Sequence, residues 1–338
     1  MKGKEFNINL YIENFIHGID IVSSKKDLDT ALDYFTYMVK NPKFSEKYYN
    51  TMMTSVKESI RNRENSPSAV YSDKIVEIMF KNNLRKRAMT LDDLSKINME
   101  KIKDEYKNKF SDFGGFKGVL IGAVNEEKAK EILEKYFASL PVNSQVENKQ
   151  KRFLDIKYPE GVVDEKVVKG VDKKVKITLY YPLKTEYSKE NSYMGQVFED
   201  VLRINLIDEV REKIGGVYGI SPVVSMSRYE KGLLRISFAT DPKRADEVTN
   251  AVKREVEKLS SGEIKTESLD SVIKNYRLVY ENNQKQNSYW EAYLAEKLKR
   301  GMDYEPYTPQ EFEKNMSKEN LQPFFKKMID KTNVIQED

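Results

Sequence analysis

The chain has 338 residues, 58 basic and 54 acidic side chains, a formal net charge of +4 and no cysteine. So small a net charge argues against a nucleic-acid binder, which gathers Lys and Arg on one face. The lack of cysteine removes disulfides, zinc–thiolate sites and cysteine nucleophiles. The hydrophobic fraction of 39%, with 21 tyrosines and 15 phenylalanines, is enough for packed cores, and the length suits about two domains. No apolar run approaches the roughly 18 residues of a membrane span. The opening residues MKGKEFNINLYIENF lack the apolar core of a signal peptide. In a fragment of a larger precursor, that would say nothing about compartment.

In chain order, residues 7–11 and 15–21 alternate as a strand pair. Ser24 is placed to cap a helix over 25–40 with Leu28, Leu32, Phe35 and Val39 on one face. A longer helix spans 45–64, its apolar residues mixed with Lys and Arg, so one side is solvated. Asn65, Ser66 and Pro67 break it, and 68–80 is helical again. Thr90 caps a helix over 91–97 with Asp93 at the capping-box position, and Asn98 starts another to about residue 110. A buried-type strand is expected at 116–121, and Asn125 caps a helix over 126–140.

Residues 141–153 are polar and aperiodic and read as a linker, dividing the chain into domains 1–145 and 154–338. The second domain opens with strands near 162–168 and 175–181. An amphipathic helix follows, with Met194, Val197, Val201, Ile204, Ile207 and Val210 at steps of three and four. Gly215 and Gly216 stop it, because glycine enters left-handed backbone freely. Strands at 217–226 and 233–239 follow, and Asp241 and Pro242 suit the N-cap and first position of the next helix. That helix carries Ala245, Val248, Val252, Val256 and Leu259, and Gly262 ends it. Further helices are expected at 267–283 and 288–300, then weak patterning from Tyr304 until a short helix at 318–329.

The halves read as one unit used twice. When the second half is laid on the first so that Asp241 falls on Ser24, Ala245 falls on Leu28, Val252 on Phe35 and Val256 on Val39. Caps and apolar faces coincide. In the same alignment, the first copy begins where the second has already laid down two strands and a long helix. The first domain is therefore expected to lack its opening strands and helix, as in a chain cut inside a domain.

The run REKIGGVYG, followed by a hairpin, resembles the second half of zinc peptidases of the pitrilysin and insulin-degrading-enzyme family, the inverzincins, and within it the PqqL-like branch. The resemblance covers about residues 5–305 and is most specific at 203–242. It implies an α+β fold of two tandem similar domains, each a mixed, mostly antiparallel sheet backed by helices, as in LuxS-like and processing-peptidase-like metallopeptidases. It also implies that Arg211 holds the substrate backbone and Tyr218 supports the tetrahedral oxyanion, both reaching a zinc site in the other half. A guanidinium is a permanent cation with a donor fork, and a phenol can donate to developing negative charge. On residue type and spacing alone, Arg211 is more commonly a partner for a helix C-terminus and Tyr218 strand packing.

An inverzincin needs H-x-x-E-H on a helix, two zinc-binding His with a Glu base, and a distant Glu as third ligand. This chain has one histidine, His17, which reads as a surface or packed residue of a strand. The segment VKESIRNRENSP resembles the third-ligand region; aligned on Pro67 it places Ser59 at the ligand position, with Glu58 one residue away. Serine is a poor zinc ligand beside a carboxylate. The expectation is a non-catalytic half with no catalytic residue, metal ligand or cofactor of its own. It would form one wall of a peptide-enclosing chamber and pair with an N-terminal catalytic half that holds zinc. The alternative is a stand-alone inactive peptide-binding or regulatory subunit serving a separate active peptidase. Neither a membrane span nor nucleic-acid binding is expected. The resemblance points to the bacterial periplasm, and the composition suits the cytoplasm equally.

Overall fold

The structure, a computed structural model, describes residues 3–143, 154, 156–161, 163–165, 174–300, 305–332 and 334–337. Its strands are β1 (Phe6–Ile12), β2 (His17–Ser23), β3 (Val163–Glu165), β4 (Val175–Pro182), β5 (Val217–Ser225), β6 (Leu233–Thr240) and β7 (Ile335–Glu337). The first six α-helices are α1 (Leu28–Lys40), α2 (Glu46–Arg63), α3 (Pro67–Phe80), α4 (Leu91–Ser95), α5 (Met99–Phe110) and α6 (Glu126–Ile132). They are followed by α7 (Lys189–Leu206), α8 (Ala245–Ser260), α9 (Thr266–Asn283), α10 (Asn287–Arg300), α11 (Pro309–Asn315) and α12 (Lys318–Met328). Of the expected linker, residues 144–153 lie outside the described residues, as does most of the strand expected at 162–168.

Local signals account for most helix starts. Ser45, Ser66, Asn98, Asn125 and Ser188 each accept a backbone N–H of the first turn of α2, α3, α5, α6 and α7. Thr90 with Asp93, and Thr308 with Glu311, close capping boxes on α4 and α11. Ser24 behaves differently from expectation. It makes no cap bond of its own; its hydroxyl donates to Asp27 Oδ2 at 3.1 Å, and a short 3-10 turn, Lys25–Asp27, precedes α1. The helix expected over 126–140 is α6 continued by a π-helical turn, Leu133–Phe137.

The repeat sets α1 to α5 against α8 to α12 in order. Leu28 and Ala245 open α1 and α8, each after a 3-10 turn, in the alignment that sets Ser24 against Asp241. The same alignment, slipping by less than one helical turn along its length, sets α2 against α9 and α3 against α10, and each pair is equal in length. It also sets the capping box of Thr90 against that of Thr308, and the start of α5 against the start of α12.

Two compact units result, and two helices are exchanged between the sequence copies. One unit holds β1, β2, α1, α2, α4–α6 and α10; the other holds α3, β3–β7, α7–α9, α11 and α12. This grouping differs from consecutive blocks of 1–145 and 154–338 at α3 and α10.

The second unit is built on a five-stranded sheet ordered β3-β7-β4-β6-β5, antiparallel except for β3 with β7. Its β4 is buried on both faces. On one face Ile177, Leu179 and Tyr181 join a core with Phe198, Val201, Leu202, Val252, Phe312 and Phe325. On the other face α3 packs Met79, Ile75 and Ile78 against Tyr180 and Ile335. Fully burying such side chains stabilises by roughly 1.5–3 kcal/mol each, which is why a helix adjoining the first copy in sequence is part of this unit.

The first unit pairs β1 with β2 over seven antiparallel positions. Phe35 and Val39 of α1 pack with Phe113, Leu140, Ile8, Ile19 and Ile21. Residues 116–121 join no strand ladder among the described residues, which corrects the expected strand. In the repeat, Phe116 corresponds to Ile335, the start of β7. The partners of β7 are β3 and β4, and the first unit has no counterpart of either among the described residues.

Candidate functional site

The candidate site lies in the second unit, where α7 gives way to β5. Met194, Val197, Phe198, Val201, Leu202 and Leu206 bury one face of α7, and Val210 continues that face into a π-helical segment, Ile207–Ile214. Burial of Val210, with Ile214 packed against the same core, fixes the rotation of this segment. Arg211 is left pointing outward with its side chain 56% exposed and, among the described residues, a distant contact from Nε to Glu212 Oε1 at 3.8 Å. An exposed pair at that separation contributes little.

Glu209 anchors the same segment. Its carboxylate accepts from Lys213 Nζ at 2.8 and 2.9 Å and from Lys265 Nζ at 2.7 Å. Those bonds hold its pKa down to about 2, with Lys213 the largest cause.

Gly215 and Gly216 then reverse the chain with φ of +74° and +76°. Gly215 combines that φ with ψ of −177°, a region essentially reserved for glycine. Beyond the turn, a β-bulge between Val217 and Gly219 leaves Tyr218 without a cross-strand partner. An extra residue of this kind re-aims a side chain out of the ladder. Tyr218 is 64% exposed, and Lys174 Nζ stands 4.3 Å from its ring centroid. A cation over the ring face is attracted by the ring quadrupole. Arg211 and Tyr218 therefore flank one two-glycine turn, both more than half exposed.

The strand that carries Tyr218 is the sheet's edge. Its outward groups are capped further along: Val224 N–H donates to Glu199 Oε2 at 2.7 Å and Arg203 donates to the Pro222 carbonyl at 3.2 Å. Glu199 and Arg203 also pair with each other along α7. This clip blunts the far end of an edge that would otherwise be open to pairing.

The remaining sequence candidates sit elsewhere and do not converge. His17 belongs to the first unit, its ring edge-on to Phe110 and Phe116 at 5.6 and 5.3 Å between centroids. Glu58 and Ser59 are exposed on α2. A lone imidazole packed between phenyl rings does not fit a zinc ion. Among the described residues no group of three or more His, Asp or Glu could hold a metal. Sequence reasoning did not single out Lys174, Thr240 or Arg244, which surround the turn. The Asp241-Pro242 signal marked the junction that carries Arg244 without showing what that side chain reaches.

A five-stranded mixed sheet with helices on both faces, repeated in part by a second unit with the same helical order, defines an α+β fold of the metallopeptidase type. The chain belongs to the family described as peptidase M16 inactive domain, whose model matches residues 96–276, just over half of its length. It is similar to an Arabidopsis thaliana protein described as zinc protease PQQL-like, 20% identical over 279 residues, covering 78% of this chain and 29% of that protein. Its fold matches the periplasmic protease PqqL from Escherichia coli with a TM-score of 0.79 at 12% identity, over 98% of this chain and 37% of that one. It likewise matches a peptidase M16 inactive domain from Pseudomonas fluorescens with a TM-score of 0.77 at 14% identity, over 98% and 81% of the two chains. The chain thus spans under a third of the length of the curated relative. The curated relative is described as a zinc protease, and among the described residues of this chain no cluster that could hold such an ion is present.

Proposed function

We propose that this chain is the non-catalytic half of a zinc metallopeptidase. It forms one wall of a chamber that encloses peptides, and it completes a zinc site held by the catalytic half. Arg211 binds the peptide backbone through its donor fork. Tyr218 donates its hydroxyl hydrogen to the oxygen that becomes negative as the scissile carbonyl turns tetrahedral. The single observation that carries this reading is the turn itself. A helix register fixed by buried Val210, a glycine pair in restricted backbone and a β-bulge together hold one guanidinium and one phenol outward on either side of it. Structural roles for the two side chains would bury them, and both are more than half exposed. The periplasmic description of the E. coli relative supports the same compartment here.

The test is zinc content and peptide hydrolysis for this chain alone and mixed with a half that carries H-x-x-E-H. Hydrolysis only in the mixture is the expected result. Stoichiometric zinc and cleavage by this chain alone would end the reading. Peptide binding without any gain in the mixture would instead favour an inactive peptide-binding subunit.

A further inference from the structure

The turn between Arg211 and Tyr218 is gripped from the junction of β6 and α8. Thr240 Oγ1, on a fully buried residue, donates to the Gly216 carbonyl at 2.7 Å. Arg244 Nη2 donates to the Ile214 carbonyl at 3.0 Å. That carbonyl belongs to the last turn of a helix, where no intrahelical donor remains. The guanidinium is itself aimed by Glu247, which accepts from Nε at 3.0 Å and from Nη2 at 3.2 Å. The rest of the Arg244 side chain fills the space that a Cβ on residue 216 would need.

The repeat shows that this position is a clamp in both copies. Arg244 ends the 3-10 turn Pro242–Arg244, and its counterpart in the first copy, Asp27, ends the turn Lys25–Asp27. Asp27 also reaches back to the chain entering its hairpin, accepting from Glu5 N–H at 3.0 Å and Lys4 Nζ at 2.8 Å just before β1. The first copy grips an N–H with a carboxylate. The second grips a carbonyl with a guanidinium, and only the second holds a turn flanked by an exposed Arg and Tyr.

We infer that Arg244, oriented by Glu247, is a positioning residue for Arg211 and Tyr218. It fixes the Ile214 carbonyl and closes over Gly216, so that the two exposed side chains are presented in one geometry. The inference rests on the function proposed above. Two adjacent glycines have the most conformational freedom to recover when a tether is cut. Loss of the clamp should therefore loosen the pair before it unfolds the domain.

Two measurements separate the inference from its premise. The first uses this chain alone and reads limited proteolysis at 214–217 against the unfolding midpoint. Arg244→Ala, and Glu247→Gln as the milder variant, are expected to speed cleavage there roughly tenfold while the fold persists. Unchanged cleavage in both variants would overturn the clamp. The second uses the enzyme completed with a catalytic half. Arg244→Ala is expected to lower kcat about 10–100-fold with a smaller change in KM, as a small misplacement of binding groups does. Arg244→Lys, which keeps one donor and loses the fork, should recover part of the loss. The double variant with Tyr218→Phe should lose less than the product of the single effects. If Tyr218→Phe and Arg211→Ala reduce activity but Arg244→Ala does not, the inference fails and the function stands. If neither Tyr218→Phe nor Arg211→Ala matters, the function itself fails and takes the inference with it.

Discussion

Tyr71 of α3 donates its hydroxyl hydrogen to Thr178 Oγ1 of β4 at 2.7 Å, both residues buried in the second unit. The bond joins a helix that follows the first copy's α2 to the central strand of the second unit's sheet. Thr178 Oγ1 also lies 3.2 Å from Ser237 Oγ, so it keeps a partner when Tyr71 is removed. Tyr71→Phe is therefore expected to cost about 1 kcal/mol, at the low end for a buried hydrogen bond. Met79→Ala, in the same contact, should cost about 2–5 kcal/mol by leaving a cavity. Urea midpoints of the two variants check this. Equal, negligible shifts would mean that α3 is not part of this unit in solution.

The glycine pair has two different reasons to be glycine. Gly215 has open space where a Cβ would stand, yet its φ and ψ are unsuited to any other residue. Gly216 has positive φ and would also drive a Cβ into Arg244. Gly215→Ala should cost about 1–3 kcal/mol whatever its neighbours. Gly216→Ala should cost more than its backbone strain alone, and part of that excess should vanish in the Arg244→Ala background. A thermodynamic cycle over the four proteins measures the coupling, and strict additivity would contradict the close approach.

Acid stability should carry the mark of Asp27. Its carboxylate is held down to about 2, most strongly by the bond from Lys4, then by Glu5 N–H. A carboxyl depressed on folding contributes stability above its unfolded pKa of roughly 4 and loses it as pH falls towards the folded value. That contribution should be complete at neutral pH and decline from about pH 4 to about pH 2. Asp27→Asn should flatten that part of the stability curve and lower stability at pH 7. A variant curve parallel to the parent across this window would show that the carboxylate is not depressed.

The Glu199–Arg203 clip should matter for solubility as well as stability. Glu199→Ala leaves the Val224 N–H of an edge strand without its acceptor. Loss of a charge-assisted bond of this kind costs about 2 kcal/mol, and the bared edge should promote self-association. Sedimentation at increasing concentration reads the second effect. A variant as monodisperse as the parent would mean that other features close the edge.

Elements are legible in the sequence where a local signal exists. The Thr90 and Asn98 caps, the Gly215-Gly216 stop and the Asp241-Pro242 start all appear where side-chain chemistry places them. The short α11 and the three-residue β7 escape the sequence reading, although Thr308 and Glu311 form the same box as Thr90 and Asp93. The strand expected at 116–121 failed for a non-local reason, since an extended segment becomes a strand only beside a partner. The exchange of α3 and α10 was not legible either. Periodicity shows that a helix has an apolar face and not which sheet that face covers. Arg211 and Tyr218 could be singled out by their resemblance to a family motif. Arg244 could not, because its partner Ile214 is 30 residues away and meets it only after β5 and β6 have paired.

The central claim is that this half supplies transition-state contacts to a zinc site it does not hold. The most direct test is kcat of the completed two-half enzyme with Tyr218→Phe, which removes one hydroxyl and leaves the ring under Lys174. A fall of roughly 10²-fold in kcat, with KM and zinc content nearly unchanged, is the predicted result. Unchanged kcat would contradict it, and Tyr218 would then be an exposed ring on an edge strand with no part in the chemistry.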